Sequence, residues 1–130
     1  MKQFHEGKFI TRLPDNTIFV FGSNEAGRHG KGAALAARQH FGAIYGQGYG
    51  TQGTSFAIPT KDRYLKTLSL DKIQTYCEAF INKAIETPEL TYYITDVGCG
   101  LAGYYPYQIA PLFRGAPDNC IFPISFKDWL

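Results

Sequence analysis

Five consecutive residues, Thr17-Ile18-Phe19-Val20-Phe21, are all β-branched or aromatic. Such a run has no polar face, so it reads as a strand buried on both sides, as in a parallel sheet. It stops at Gly22-Ser23-Asn24, and a glycine-punctuated loop continues to Gly32. Alanine-rich Ala33–His40 then reads as a helix. Ser55–Ile58 is a second strand, ended by Pro59, and Thr91–Val97 and Cys120–Ser125 are two more. Leu70, Ile73, Cys77, Phe80, Ile81, Ala84 and Ile85 recur at helical spacing, with Ser69 as N-cap and Asp71 in the first turn. Pro106 suits the first position of a short helix. Phe9–Leu13 and Ala43–Tyr45 are expected as short strands, and Gly46–Gly53 as a flexible loop.

Strands alternating with helices imply parallel crossovers, hence an α/β fold with a mostly parallel (mixed) sheet between helices. The 130 residues fit a single domain, 1–130. With 45% hydrophobic and 18% charged residues, the chain is neither disordered nor highly charged. The apolar stretch Ile18–Phe21 falls far short of the about 18 residues that cross a bilayer. The opening residues Met1–Glu6 lead into no apolar run, so no secretory signal is expected. The three cysteines, Cys77, Cys99 and Cys120, are odd in number and lack ligand spacing. That pattern fits a reducing cytoplasm and argues against a zinc site. The formal charge is +2, and the thirteen Lys and Arg are scattered from Lys2 to Lys127 without a block. Nothing in that spread suggests a nucleic-acid footprint.

Function is written mainly in the glycines. Nine of the fourteen lie between Gly22 and Gly53, and four of the rest follow position 97. In open α/β sheets, ligands bind beyond the carboxyl ends of the strands, where these glycine loops are expected. Backbone N–H groups in such turns, next to a helix N-terminus, form an anion cradle that could hold both halves of a pyrophosphate. Gly98-Cys99-Gly100-Leu101-Ala102-Gly103 also matches G-x-G-x-x-G, with Asp118 twenty residues beyond Gly98. A Rossmann site is the obvious reading. Its position in the last quarter of the chain, and Tyr104-Tyr105-Pro106 at the helix entry, speak against it.

Taken together, these residues resemble a macro domain, the fold that binds ADP-ribose. Phe19-Val20-Phe21-Gly22-Ser23-Asn24 resembles that family's apolar strand ending in asparagine. Gly30-Lys31-Gly32-Ala33-Ala34 resembles the glycine-rich start of the next helix. Gly98-Cys99-Gly100-Leu101-Ala102-Gly103-Tyr104-Tyr105-Pro106 resembles its second phosphate loop, and Cys120–Phe126 its closing strand. The resemblance covers roughly Gly7 to Phe126 and implies a three-layer α/β/α sandwich. Its ligand would be ADP-ribose, or an ADP-ribosylated protein or nucleotide, with no cofactor or metal.

Within that family the chain is most similar to the lysine-dependent terminal ADP-ribose protein glycohydrolases. The resemblance makes Lys61, after Ile58-Pro59-Thr60, the counterpart of their nucleophile. Their loop aspartate is replaced here by Ala102, and Asp96 and Asp62 are the nearest carboxylates in sequence. Asp96 is therefore the candidate proton-handling group. The early aspartate that reads adenine in the family is also absent, and Gly7-Lys8-Phe9 occupies that stretch.

Several residues carry two readings. Asn24 contacts a ribose or shapes a turn. Tyr104 and Tyr105 stack on that ribose or form a surface pair. Phe126 lies against a base or packs in the core, and Lys61 is a nucleophile or a solvated cation. His29 and His40 are expected at the surface, with His29 a candidate phosphate contact, while Arg28 and Lys31 are natural phosphate partners. Cys99 has no partner histidine that would make it a nucleophile. Three functions follow from these readings. The first is an ADP-ribose-binding module and the second a glycohydrolase using Lys61. The third is an unrelated Rossmann-like nucleotide binder or a protein-interaction module.

Overall fold

The computed structural model describes residues 2–130. Strands β1 (Gln3–His5), β2 (Thr17–Asn24), β3 (Gly50–Gln52), β4 (Ser55–Lys61), β5 (Thr91–Ile94) and β6 (Cys120–Pro123) alternate with three helices. These are α1 (Gly32–His40), α2 (Leu70–Glu86) and the short α3 (Pro106–Ile109). Segments Ala110–Phe113 and Ile124–Trp129 form 3-10 turns. The strands make one sheet in the order β1-β6-β5-β2-β4-β3. Every neighbouring pair is parallel except β3 with β4. The chain is therefore α/β with a six-stranded, mostly parallel mixed sheet.

The unbroken apolar run of β2 has the environment its composition requires. Successive side chains of a strand point to opposite faces. Ile18 and Val20 join a large cluster with Phe56, Ile58, Phe80, Tyr92 and Ile94, whereas Phe19 and Phe21 join a smaller one with Ala37, Phe41, Ala43 and Ala57. The smaller cluster packs α1 on the sheet. In the larger, Phe80 meets the rings of Phe56, Tyr92 and Phe113 edge-on at 5.2–6.0 Å, the arrangement that aromatic quadrupoles favour. Helix α2 buries Ile73, Cys77, Phe80, Ile81 and Ala84 on that side. Its N-terminus is capped as expected, the Ser69 hydroxyl accepting the Lys72 N–H at 3.2 Å.

Six local expectations fail, the simplest being Thr91–Val97, whose strand β5 already ends at Ile94. Phe9–Leu13 is irregular, and Phe9 is 76% exposed. Ala43–Tyr45 is a turn, and the third strand lies further on, inside the glycine segment, as β3. That segment is pinned from within, because the buried Gln52 amide donates to the Gln47 and Gly50 carbonyls while its oxygen accepts the Ile44 N–H at 2.7 Å. Strand β4 runs through Pro59 to Lys61. Its pairing with β3 ends at Ala57 and its contact with Thr67–Leu68 involves only Thr60 and Lys61, so Pro59 falls between the two, where a residue without an N–H is tolerated. Strand β6 stops at Pro123, and the chain then coils so that Phe126 turns into the core. The edge strand β1 was not anticipated at all.

Among the described residues, no helix is long and apolar enough to cross a membrane.

Candidate functional site

A cleft of about 790 Å3 opens at the carboxyl ends of β2, β4 and β5. Its size lies within the range of small-molecule sites, roughly 300–1,000 Å3. One wall is the end of β2 with the loop and helix start that follow, Gly22, Ser23, Asn24, Gly30, Lys31 and Gly32. The loop after β5 forms another, with Gly98, Cys99, Gly100, Leu101 and Ala102. Lys61, at the end of β4, lines the same space, as does Asp96.

Two features make these walls suited to an anion. Helix α1 starts at Lys31 without a side-chain cap and without an acidic residue in its first turn, in contrast to α2, which has Ser69 and Asp71. Its first amides, those of Gly32, Ala33 and Ala34, have no backbone acceptor among the described residues and border the cleft. The N–H groups of Gly100, Leu101 and Ala102 are likewise unmatched, while Cys99, Gly103 and Tyr104 close the loop on itself at 3.0 Å each. Gly98 holds the loop in place. Its φ is +76°, and a Cβ there would lie 2.8 Å from Ile109 Cδ1. A side chain at this position is therefore strained by the backbone conformation, and Ile109 would have to shift to make room for it.

Side chains add charge. Lys8, Arg28, Lys31 and Lys61 line the cleft, against the single carboxylate of Asp96. Among the described residues, no carboxylate lies within ion-pair distance of Lys61, and the only cation of the four that is paired is Lys8, with Glu6 at 3.3 Å. Asp96 accepts the Ser125 hydroxyl at 2.6 Å. It follows β5, and β2 lies between β5 and β4, so Asp96 and Lys61 stand two strand spacings apart, roughly 10 Å. They bracket the cleft and are not in contact. The Ala102 methyl group offers no proton handler in the loop itself.

Other expected contacts fall elsewhere. The Asn24 side chain is engaged within its own loop, its amide donating to the Arg28 carbonyl at 3.0 Å and its oxygen accepting the Arg28 N–H at 2.9 Å. That is the turn-shaping role, which fixes the path from β2 to α1. Phe126 is fully buried beside Phe113 and Phe122 and does not reach the cleft, because the 3-10 turn after β6 points it inward. Tyr104 leaves the cleft to donate to the Leu68 carbonyl at 2.6 Å, and Tyr105 stacks on Tyr107 at the surface. Gly103 does not line the cleft either. His29 is not at the surface but fully buried against Phe21, its Nε2 shared between the Gln47 carbonyl and the Gln52 side chain. Gly46–Gly53 borders no part of the site.

Burial pushes the Cys99 thiol up to about 12, with the charge of Asp96 acting in the same direction. It stays protonated at neutral pH and is no nucleophile.

Of the N-terminal segment, the resemblance connects only Gly7-Lys8-Phe9 with the site, and His5 and Ile10 were missed. His5, Gly7, Lys8, Phe9 and Ile10 line the cleft together with Tyr93. The His5 ring stacks on Tyr93 at 3.8 Å. Its Nε2 donates to the Ile94 carbonyl at 2.6 Å, and its Nδ1 accepts the Gly7 N–H at 3.0 Å. This pair of bonds requires the neutral ring protonated on Nε2. No sequence motif marks these residues, because β1 is only three residues long. Phe19, Ala36, Thr60, Thr95 and Leu65 complete the lining.

Among the described residues, no group of three or more His, Cys, Asp or Glu is placed to hold a metal ion. No family model matches the chain, and no curated protein or solved structure is similar to it.

Proposed function

We propose that this chain is a macro-like, three-layer α/β/α domain that binds ADP-ribose or a related NAD-derived nucleotide through its diphosphate. One observation carries the reading. Two sets of unmatched backbone amides, at the uncapped start of α1 and in the loop after β5, border a single cleft in which cationic side chains outnumber carboxylates. A diphosphate matches that arrangement in charge and in its need for several convergent donors. The two apolar clusters on opposite sides of β2 support the three-layer arrangement. The three free thiols suit the cytoplasm.

Calorimetric titration with ADP-ribose, AMP, NAD and inorganic pyrophosphate tests the reading. Binding of ADP-ribose well ahead of AMP is expected, and no heat with any of the four would refute it.

Lys61 favours a second reading, hydrolysis of an ADP-ribosyl linkage, because its amine shares the cleft with both loops. The neutral amine would attack the anomeric carbon, forming a C–N bond as the ribosyl C–O bond breaks. The oxygen of the modified group leaves with the electron pair and the amine's proton, and water then displaces the lysine and releases ADP-ribose. Reductive trapping of an adduct that disappears in Lys61→Ala is the expected result for an enzyme. ADP-ribose release that continues unchanged in that variant would exclude the lysine route.

A further inference from the structure

Leu65 is a leucine where the backbone favours glycine. Its φ is +65°, and apart from glycines only Asn16 shares a positive φ among the described residues. Leucine adopts this conformation reluctantly, whereas asparagine and glycine do so readily. The side chain is not buried for stability, since it is 45% exposed. What it does face is the cleft, four residues after Lys61 in the chain.

The surrounding turn is built to hold it there. One Asp62 carboxylate oxygen accepts the N–H groups of Tyr64 and Lys66 at 2.8 and 3.0 Å. The Leu65 N–H donates to the Asp62 carbonyl, and the Asp62 N–H to that of Lys66. The Thr67 hydroxyl then donates to the Ala102 carbonyl at 3.0 Å, which ties the turn to the amide-bearing loop opposite. An exposed apolar side chain in a strained but over-determined position, aimed into a cleft, points to a ligand contact.

We propose that Leu65 is a specificity-determining contact that packs on a non-phosphate face of the ligand, a ribose or base, beside Lys61. The assignment rests on the reading of the cleft as a nucleotide site. It implies that the site discriminates a whole nucleotide from its bare diphosphate by apolar contact, while the amides hold the phosphates.

Leu65→Gly separates this role from a structural one, because glycine relieves the backbone while deleting the side chain. The expected result is an unchanged or higher Tm together with about tenfold weaker ADP-ribose binding, the scale of losing one partly buried aliphatic contact. Inorganic pyrophosphate binding should be unaffected. Leu65→Met, which restores apolar reach, should recover most of the ADP-ribose affinity. Equal ADP-ribose affinity in wild type and Leu65→Gly, or a matching loss for pyrophosphate, would overturn the proposal. Failure of the wild type to bind ADP-ribose would defeat the nucleotide reading and this contact with it.

Discussion

His5 shows how much one side chain can decide. Burial holds its pKa below the ordinary 6.5, although the Ile94 carbonyl and the Asp96 charge pull the other way. Its Nδ1 can accept from Gly7 only while the ring is neutral. As pH falls through about 6.5 the unfolded chain takes up the proton first, so native stability drops until the folded-state pKa is passed. Above that range His5 makes no pH-dependent contribution. In His5→Gln, which keeps a donor for Ile94 but does not titrate, stability should fall less between pH 7.5 and pH 5 than in the wild type. Urea unfolding at each pH measures the difference, and parallel profiles would remove His5 as its source. None of this was legible beforehand, because neither the ring's partners nor its burial follow from Phe4-His5-Glu6. Lys61, by contrast, was marked by the resemblance alone, after Ile58-Pro59-Thr60, and it does line the cleft. Phe126 and His29 misled for the converse reason. Their composition fits a ligand contact or a surface position, and only the path of the backbone decides that both are buried.

Elements differ in how openly they are written. Helix α2 and the buried strand β2 were evident from periodicity and from an unbroken apolar run, since each must satisfy a core along its whole length. Strand β3 was hidden because its glycines read as a loop, although its antiparallel partner β4 begins only three residues further on. Helix α1 is the element with the clearest functional consequence. Lys31 sits at its N-cap position in extended conformation, where aspartate is a favoured residue. Lys31→Asp should raise stability by about 0.5–1 kcal/mol through capping and the helix dipole. The same carboxylate would occupy the place proposed for phosphate, so ADP-ribose affinity should fall by about tenfold or more. Thermal unfolding and calorimetry on one variant thus give effects of opposite sign. A variant that gained stability and bound as well as the wild type would show that the start of α1 is not part of the site.

Across the whole molecule, charge is the property that sequence conceals best. A net charge of +2 spread over the chain says almost nothing. Folding gathers Lys8, Arg28, Lys31 and Lys61 from three separate stretches of the chain around one opening, with Asp96 in its lining and Glu6 on Lys8 to offset them. Binding of a diphosphate should therefore weaken by about five- to tenfold between 50 and 500 mM salt, as screening shortens the reach of these cations. The midpoint of urea unfolding should move little over the same range. Salt-independent affinity would mean that recognition does not rest on this field.

The hydroxyl of Thr67, bonded across to the Ala102 carbonyl, makes the turn after β4 and the loop after β5 a single mechanical piece. These two banks cannot part to admit a guest without breaking that tether. Across the opening, Gly7–Ile10 is held separately, by the imidazole that accepts from Gly7, by Phe9 against His40 and by Ile10 on the α1-side cluster. Acidity that protonates the imidazole would take away the first of these holds and leave the tether opposite untouched.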